Sequence, residues 1–181
     1  MAAKKRNKER DRLASSLASS LPTTGGGYQI SSAFSAPLRR RFLGEWVIGE
    51  HTVDGRPFIE SFALGALRGA ALLEPAYASV YDFRESLCVK RVRISGYIEL
   101  PKGRVEYLYR LSVAISWELG RGFLMVRPEL GYQSTSLDGE TAAVKELPSA
   151  GESARVGYRF EDETLVLEEG ADFKRLTRRA E

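Results

Sequence analysis

From Phe42 onward, apolar residues recur at every second position, the pattern of strands with one buried and one wetter face. The clearest stretch is RVEYLYRLSVAISWEL, residues 104–119. There Val105, Tyr107, Tyr109, Leu111, Val113, Ile115, Trp117 and Leu119 take the odd positions, and most even positions are polar or small. At about 3.3 Å per residue such a strand would run about 50 Å, so it is expected to bend or to meet a bulge. Turn signals divide the rest into further strands: Asp54-Gly55, Pro101-Lys102-Gly103, Gly120-Arg121-Gly122, Asp138-Gly139 and the acidic turn Glu161-Asp162-Glu163. The segment SFALGALRGAALLEP breaks the period. Ala and Leu favour a helix, Gly65 and Gly69 weaken it, and it reads as one short helix or two short strands. Eight to ten strands with short connections predict an all-β, up-and-down antiparallel barrel, with a sandwich as the other architecture. Closure is favoured because it removes exposed edges from strands this long.

The first 40 residues read differently. Leu13, Leu17 and Leu21 are diluted by serines, and Gly25–Gly27 with the run SSAFSAP has the composition of a linker, so residues 1–40 are expected to be a disordered arm and 41–181 the barrel. Of the formal net charge of +3, residues 1–12 contribute +4 and Arg39–Arg41 a further +3, which leaves −4 on residues 42–181. An acidic body argues against a broad nucleic-acid face, and any polyanion contact falls to Lys4, Lys5, Arg6, Lys8 and Arg10 in the arm. The arm is too polar to cross a membrane and makes a poor signal peptide, so a cytoplasmic location is expected. Organelle import through the basic, Ser-rich start is the alternative.

Candidate chemistry centres on the odd-position stripe. In a barrel of about eight strands, Tyr107, Tyr109 and Trp117 either fill the core or line a cup for one small ligand, offering apolar area and hydrogen-bonding tips. Arg127, Tyr132 and Tyr158 are candidates for the lining or the rim. The single histidine, His51, has no nucleophile or carboxylate implied beside it and reads as structural. Cys88 reads as an inert buried thiol, and the acidic residues Glu161–Glu163 and Glu168-Glu169 as solvated turn carboxylates. One cysteine and one histidine provide no metal-ligand spacing, and no cofactor motif is present.

Two short stretches carry a family likeness. Leu43-Gly44-Glu45-Trp46 resembles the Gly-x-Trp opening of the lipocalin and wider calycin superfamily, and YRFEDETLVLEEGADFKRLTR resembles the closing hairpin and arginine-bearing last strand of bacterial lipocalin-like domains. The resemblance implies that Trp46, entered through Gly44, plugs one end of the barrel, with Arg175 or Arg178 packed over its indole. It also implies non-enzymatic binding of a small apolar or amphipathic ligand in the barrel interior. The alternative is an assembly protein whose arm holds polyanion and whose barrel is a filled core. An isomerase- or cyclase-type enzyme would rest on fold analogy alone. The chain lacks the disulfide set of secreted lipocalins.

Overall fold

The computed structural model describes residues 32–67, 70–147 and 152–180. The basic arm, with Lys4, Lys5, Arg6, Lys8 and Arg10, lies outside them. In chain order the elements are α1 (Ser32–Phe42), β1 (Gly44–Val53), β2 (Arg56–Pro57), α2 (Phe58–Ala66), β3 (Leu73–Phe83), β4 (Leu87–Leu100), β5 (Gly103–Leu119), β6 (Phe123–Leu137), β7 (Glu140–Leu147), β8 (Ala154–Glu161), β9 (Thr164–Glu169) and β10 (Asp172–Arg178). Eight strands close an antiparallel barrel in the order β1-β3-β4-β5-β6-β8-β9-β10, and β10 returns to β1 with Trp46 opposite Arg178 and Val53 opposite Asp172.

The turns follow the expected chemistry. At Asp54-Gly55 (φ 52° and 73°) and Asp138-Gly139 (φ 47° and 80°) both central residues are left-handed, as the two-residue hairpin turn of matching twist requires. The long strand spans 17 residues and pairs without interruption with β4. Against β6 its register shifts between Ala114 and Ile115, which face Leu130 and Pro128, leaving Glu129 as the extra residue. There β6 changes partner: Phe123–Val126 pair with β8, whereas Gly131–Leu137 pair with β7. Pro128 has no N–H to give to a ladder, which suits the point where one neighbour is exchanged for another.

Two segments depart from the sequence expectation or settle it. Residues 32–40, expected as linker, belong to helix α1, whose last turn carries Arg39, Arg40 and Arg41, the charge sign favoured at a helix C-terminus. Composition alone favoured chain entropy, but tertiary packing of Leu38 and Phe42 against the barrel core outweighs it. Of the ambiguous apolar segment, residues 61–66 belong to helix α2, which starts at Phe58 directly after β2, and residues 73–75 begin β3.

One end of the barrel is plugged with rings. Phe42 is fully buried, its centroid 5.0 Å from Tyr158 and from Phe160, 5.5 Å from Trp117 and 5.7 Å from Phe83. Its carbonyl accepts Trp46 Nε1–H at 2.6 Å. Guanidinium groups cover the plug: Arg39 over Trp117 (4.7 Å), Arg41 over Phe160 (4.1 Å) and Arg178 over Trp46 (4.8 Å). Arg178 also donates to the Arg41 carbonyl at 2.6 Å, tying β10 to the end of α1. Gly44 enters β1 at φ 110°, a region that L side chains rarely adopt. Of the two arginines offered for the indole, Arg178 takes the place. Arg175 points outward to Glu161 (3.1 Å) and Glu50 (3.6 Å). Arg178→Gln is therefore expected to lower stability by about 1 kcal/mol, a Tm decrease of roughly 2–4 °C. Arg175→Gln should change Tm by less, as removal of a surface ion pair does. Thermal unfolding followed by circular dichroism checks both, and equal effects would deny Arg178 its place in the plug.

Candidate functional site: a polar layer inside the barrel

Alternation sorts each strand into an inner and an outer row. In β4 the inner row is Cys88, Lys90, Val92 and Ile94, facing Phe83, Tyr81, Ser79 and Tyr77 of β3. In β10 it is Asp172, Lys174 and Leu176, facing Val53, His51 and Ile48 of β1. Two lysines, a histidine and an aspartate therefore share the inside of the barrel with its apolar residues. Lys174 and His51 are 6% and 8% exposed.

His51, Asp172 and Lys174, with Tyr77, form a connected layer above the aromatic plug. Asp172 can only accept, so the His51 Nε2–H donates to Asp172 Oδ1 at 2.8 Å, and Nδ1 is left to accept the Tyr77 hydroxyl at 2.7 Å. Lys174 donates to the other Asp172 oxygen. Burial pushes the Asp172 carboxyl up, but the hydrogen bonds from His51 and Lys174 outweigh it and hold the group at about 2. Burial raises the Tyr77 phenol well above its ordinary range and keeps it a donor. With both ring nitrogens engaged, His51 is a positioned link in this chain, not a free base.

Lys90 differs from Lys174. No carboxylate lies within ion-pair distance of it among the described residues; the Tyr81 ring lies 5.5 Å from Nζ. Burial, with the nearby Lys174 charge, outweighs the opposing charges of Asp172 and Glu169 and lowers its ammonium to about 8. Both lysines border a cavity of about 100 Å³ whose wall also includes Tyr81, Cys88, Trp117 and Leu167. Glu169 approaches this cavity from the exposed end of β9. Tyr81 is also on the wall, and its Oη is buried without a hydrogen-bond partner among the described residues, a state that costs about 1–3 kcal/mol unless something fills it. Burial holds the Cys88 thiol up at about 12, so it stays neutral.

The open end is covered by α2. Strands β1 and β3 pair only over Gly44–Val47 and Val80–Phe83, and beyond that point they part. Phe58 fills the gap, stacked on His51 at 4.1 Å with a 7° interplanar angle and 5.0 Å from Tyr77, while Phe62 meets Tyr109 at 5.0 Å. No α2 residue is fully buried, and Leu64 is 69% exposed. A half-buried, two-turn helix of this kind belongs to the least stable part of a fold and can open locally.

The residues singled out in the sequence are spread over three places. Tyr107 and Tyr109 stand on the inner row near the open end, Tyr107 buried and Tyr109 half-buried under Phe62. Trp117 and Tyr158 belong to the plug: Trp117 donates to the Arg84 carbonyl at 3.0 Å and Tyr158 Oη to that of Gly120 at 3.4 Å. Arg127 and Tyr132 do not line the interior. Arg127 lies exposed and paired with Glu129 at 2.8 Å, and Tyr132, opposite Ser112, is on the outer row and 50% exposed. Both sit in β6, whose register shift at Glu129 an alternation count cannot see. His51 has the carboxylate neighbour that the sequence did not imply. Lys90, Asp172 and Lys174 were missed, although their signal is present: a lysine in the apolar phase of Cys88-x-Lys90-x-Val92 and of Lys174-x-Leu176. Among the described residues, no three His, Cys, Asp or Glu side chains gather as a metal site.

No family model matches this chain, and no curated protein or solved structure matches it.

Proposed function

We propose that the barrel binds a small amphipathic anion, its acid group held by Lys90 and its apolar part packed toward Trp117, Phe83, Leu124 and Leu167. The observation that carries this reading is the half-buried Lys90 ammonium on the cavity wall, which has no ion-pair partner among the described residues. A buried charge without a partner is costly, and a bound carboxylate would offset that cost. Tyr81 Oη would donate a second hydrogen bond to the same acid group. At about 100 Å³ the cavity falls well below the roughly 300–1,000 Å³ usual for ligand sites, so the ligand is compact. The lipocalin-like resemblance supports the same reading, and the Arg178 stack on Trp46 is the arrangement that resemblance implies.

The test titrates the full chain with butanoate, hexanoate and octanoate and with the corresponding alcohols, followed by calorimetry and tryptophan fluorescence. A carboxylate is expected to bind saturably and at least about tenfold more tightly than its alcohol, a difference of about 1.4 kcal/mol. Its affinity should decline as pH rises above about 8, where Lys90 loses its proton. Lys90→Met should abolish the preference for the acid. Equal affinity for acid and alcohol, or no binding anywhere in the series, would overturn the assignment.

A further inference from the structure

The outer face of β3–β7 bears a second feature, independent of the interior. A groove of about 540 Å³ runs across it, lined by Ala78, Val80, Tyr132 and Val144 and edged by Arg91, Arg93 and Arg110. Its volume falls within the usual range of small-molecule sites. Arg93 and Arg110 are direct cross-strand partners. Residues so placed have Cβ atoms about 4.5–5.5 Å apart, and like charges in that position destabilise a sheet.

The neighbours do not relieve that repulsion. On the same face Arg93 is flanked by Arg91, Ser95 and Ala78, and Arg110 by Leu108, Ser112 and Ser134. None is acidic. Arg91 is engaged by Glu45 at 2.9 Å, and Arg84, Arg104, Arg127, Arg159, Arg175 and Arg179 each have a carboxylate partner. Arg93 and Arg110 have none among the described residues. Two exposed, uncompensated guanidinium groups thus face one apolar groove.

We propose that this groove binds an aryl phosphate monoester, the phosphate gripped by Arg93 and Arg110 and the ring laid against Tyr132 and Val144. Two adjacent positive charges match a phosphate, which carries about −1.5 to −2 at pH 7, better than a singly charged carboxylate. Guanidinium forks supply the paired N–H donors that phosphate oxygens accept. Tyr132, 50% exposed, and Val144, 69% exposed, are the large uncovered apolar surfaces of the groove and would be buried by a ring. The surrounding body carries −4 over residues 42–181, which opposes an extended polyanion but only weakly affects a compact dianion held at contact distance.

The experiment is calorimetric titration of the full chain at low salt with phenyl phosphate, inorganic phosphate, benzoate and benzyl alcohol. Phenyl phosphate is expected to bind about tenfold or more tightly than each of the other three. Arg93→Gln combined with Arg110→Gln should abolish binding while leaving the circular dichroism and melting curve of a folded barrel, because the substitutions remove a repulsion. Tyr132→Ser should reduce phenyl phosphate to the level of inorganic phosphate, and Lys90→Met should leave it unchanged. Binding of inorganic phosphate as tight as phenyl phosphate would overturn the ring contact. Benzoate binding equally well to Lys90→Met, which lacks the interior acid site, would overturn the dianion assignment, and a double variant that binds like the parent would overturn the site.

Discussion

Phe42→Ala is expected to destabilise the barrel by about 3–5 kcal/mol, the range measured when a large buried ring is truncated in a core that cannot collapse around the void. The ring is fully buried and touches four aromatic rings contributed by β3, β5 and β8. Strands closed by hydrogen bonds hold those rings in place, so they cannot move inward to refill the space. Against a total stability of about 5–15 kcal/mol, a loss of this size leaves the fold marginal. Removal of residues 1–43 should be at least as damaging, because it also uncovers Trp46 and deletes the carbonyl that accepts its indole N–H. Urea unfolding measures both, with Leu64→Ala, at a 69% exposed site on α2, as a control near zero. A Phe42→Ala protein within 1 kcal/mol of the parent would mean that α1 is not part of the barrel core.

Lys90→Met is expected to raise stability at pH 7, by up to about 3 kcal/mol, and to do so in a pH-dependent way. The folded protein holds the Lys90 proton only up to about 8, whereas the unfolded chain holds it up to about 10.5. Below pH 8 both states are protonated, and the folded state bears the full cost of the half-buried charge. Between about 8 and 10.5 the unfolded state binds more protons, so this group's contribution to stability rises with pH. The shift corresponds to about 3 kcal/mol at about 1.36 kcal/mol per unit, an upper bound, since the ammonium can relax toward the cavity. Cys88, Tyr77 and Tyr81, whose acid groups burial raises, have the opposite slope in alkali: the unfolded chain loses those protons first. Their contribution is common to parent and variant and cancels in the difference. Urea denaturation at pH 7 and pH 10 should therefore show the advantage of Lys90→Met shrinking as pH rises. A constant difference would show that Lys90 does not titrate inside the barrel. Asp172 acts in acid: its carboxyl is held low, so its stabilising links to His51 and Lys174 persist above about pH 4 and fade as pH falls through about 2.

The same lysine explains why the candidate site was only partly legible. Period-two alternation places Tyr107, Tyr109 and Trp117 inside, because a strand's geometry assigns each residue a face without reference to its neighbours. Alternation puts Lys90 in the inner phase of β4, but it does not reveal that Lys174, from a strand more than 80 positions later, lies beside it, since the closing β1–β10 ladder and the register of every intervening pair decide that meeting. His51 read as isolated for the same reason. Its carboxylate partner lies 121 residues away in sequence. Arg127 and Tyr132, candidates for the lining or the rim, have opposite parity in β6, and both fall on the outer row because Glu129 slips the β5–β6 register, which nothing in the letters marks.

What the sequence alone determined is local: the strands, their inner and outer faces, the Asp-Gly turns with left-handed φ, and a Gly-x-Trp start leading to a tryptophan that belongs in the core. These follow from backbone sterics and from the burial period of two, which act over a few residues at a time. Tertiary structure decided the rest. It made a helix of a Ser- and Ala-rich segment, because Phe42 had a ring of aromatic partners to reach. It chose Arg178 over Arg175 for the indole, because the β1–β10 register places that side chain opposite Trp46. It also left Lys90 without a partner inside and Arg93 beside Arg110 outside, because charge neighbours in a closed sheet are set by pairing across strands, and pairing is a property of the whole barrel.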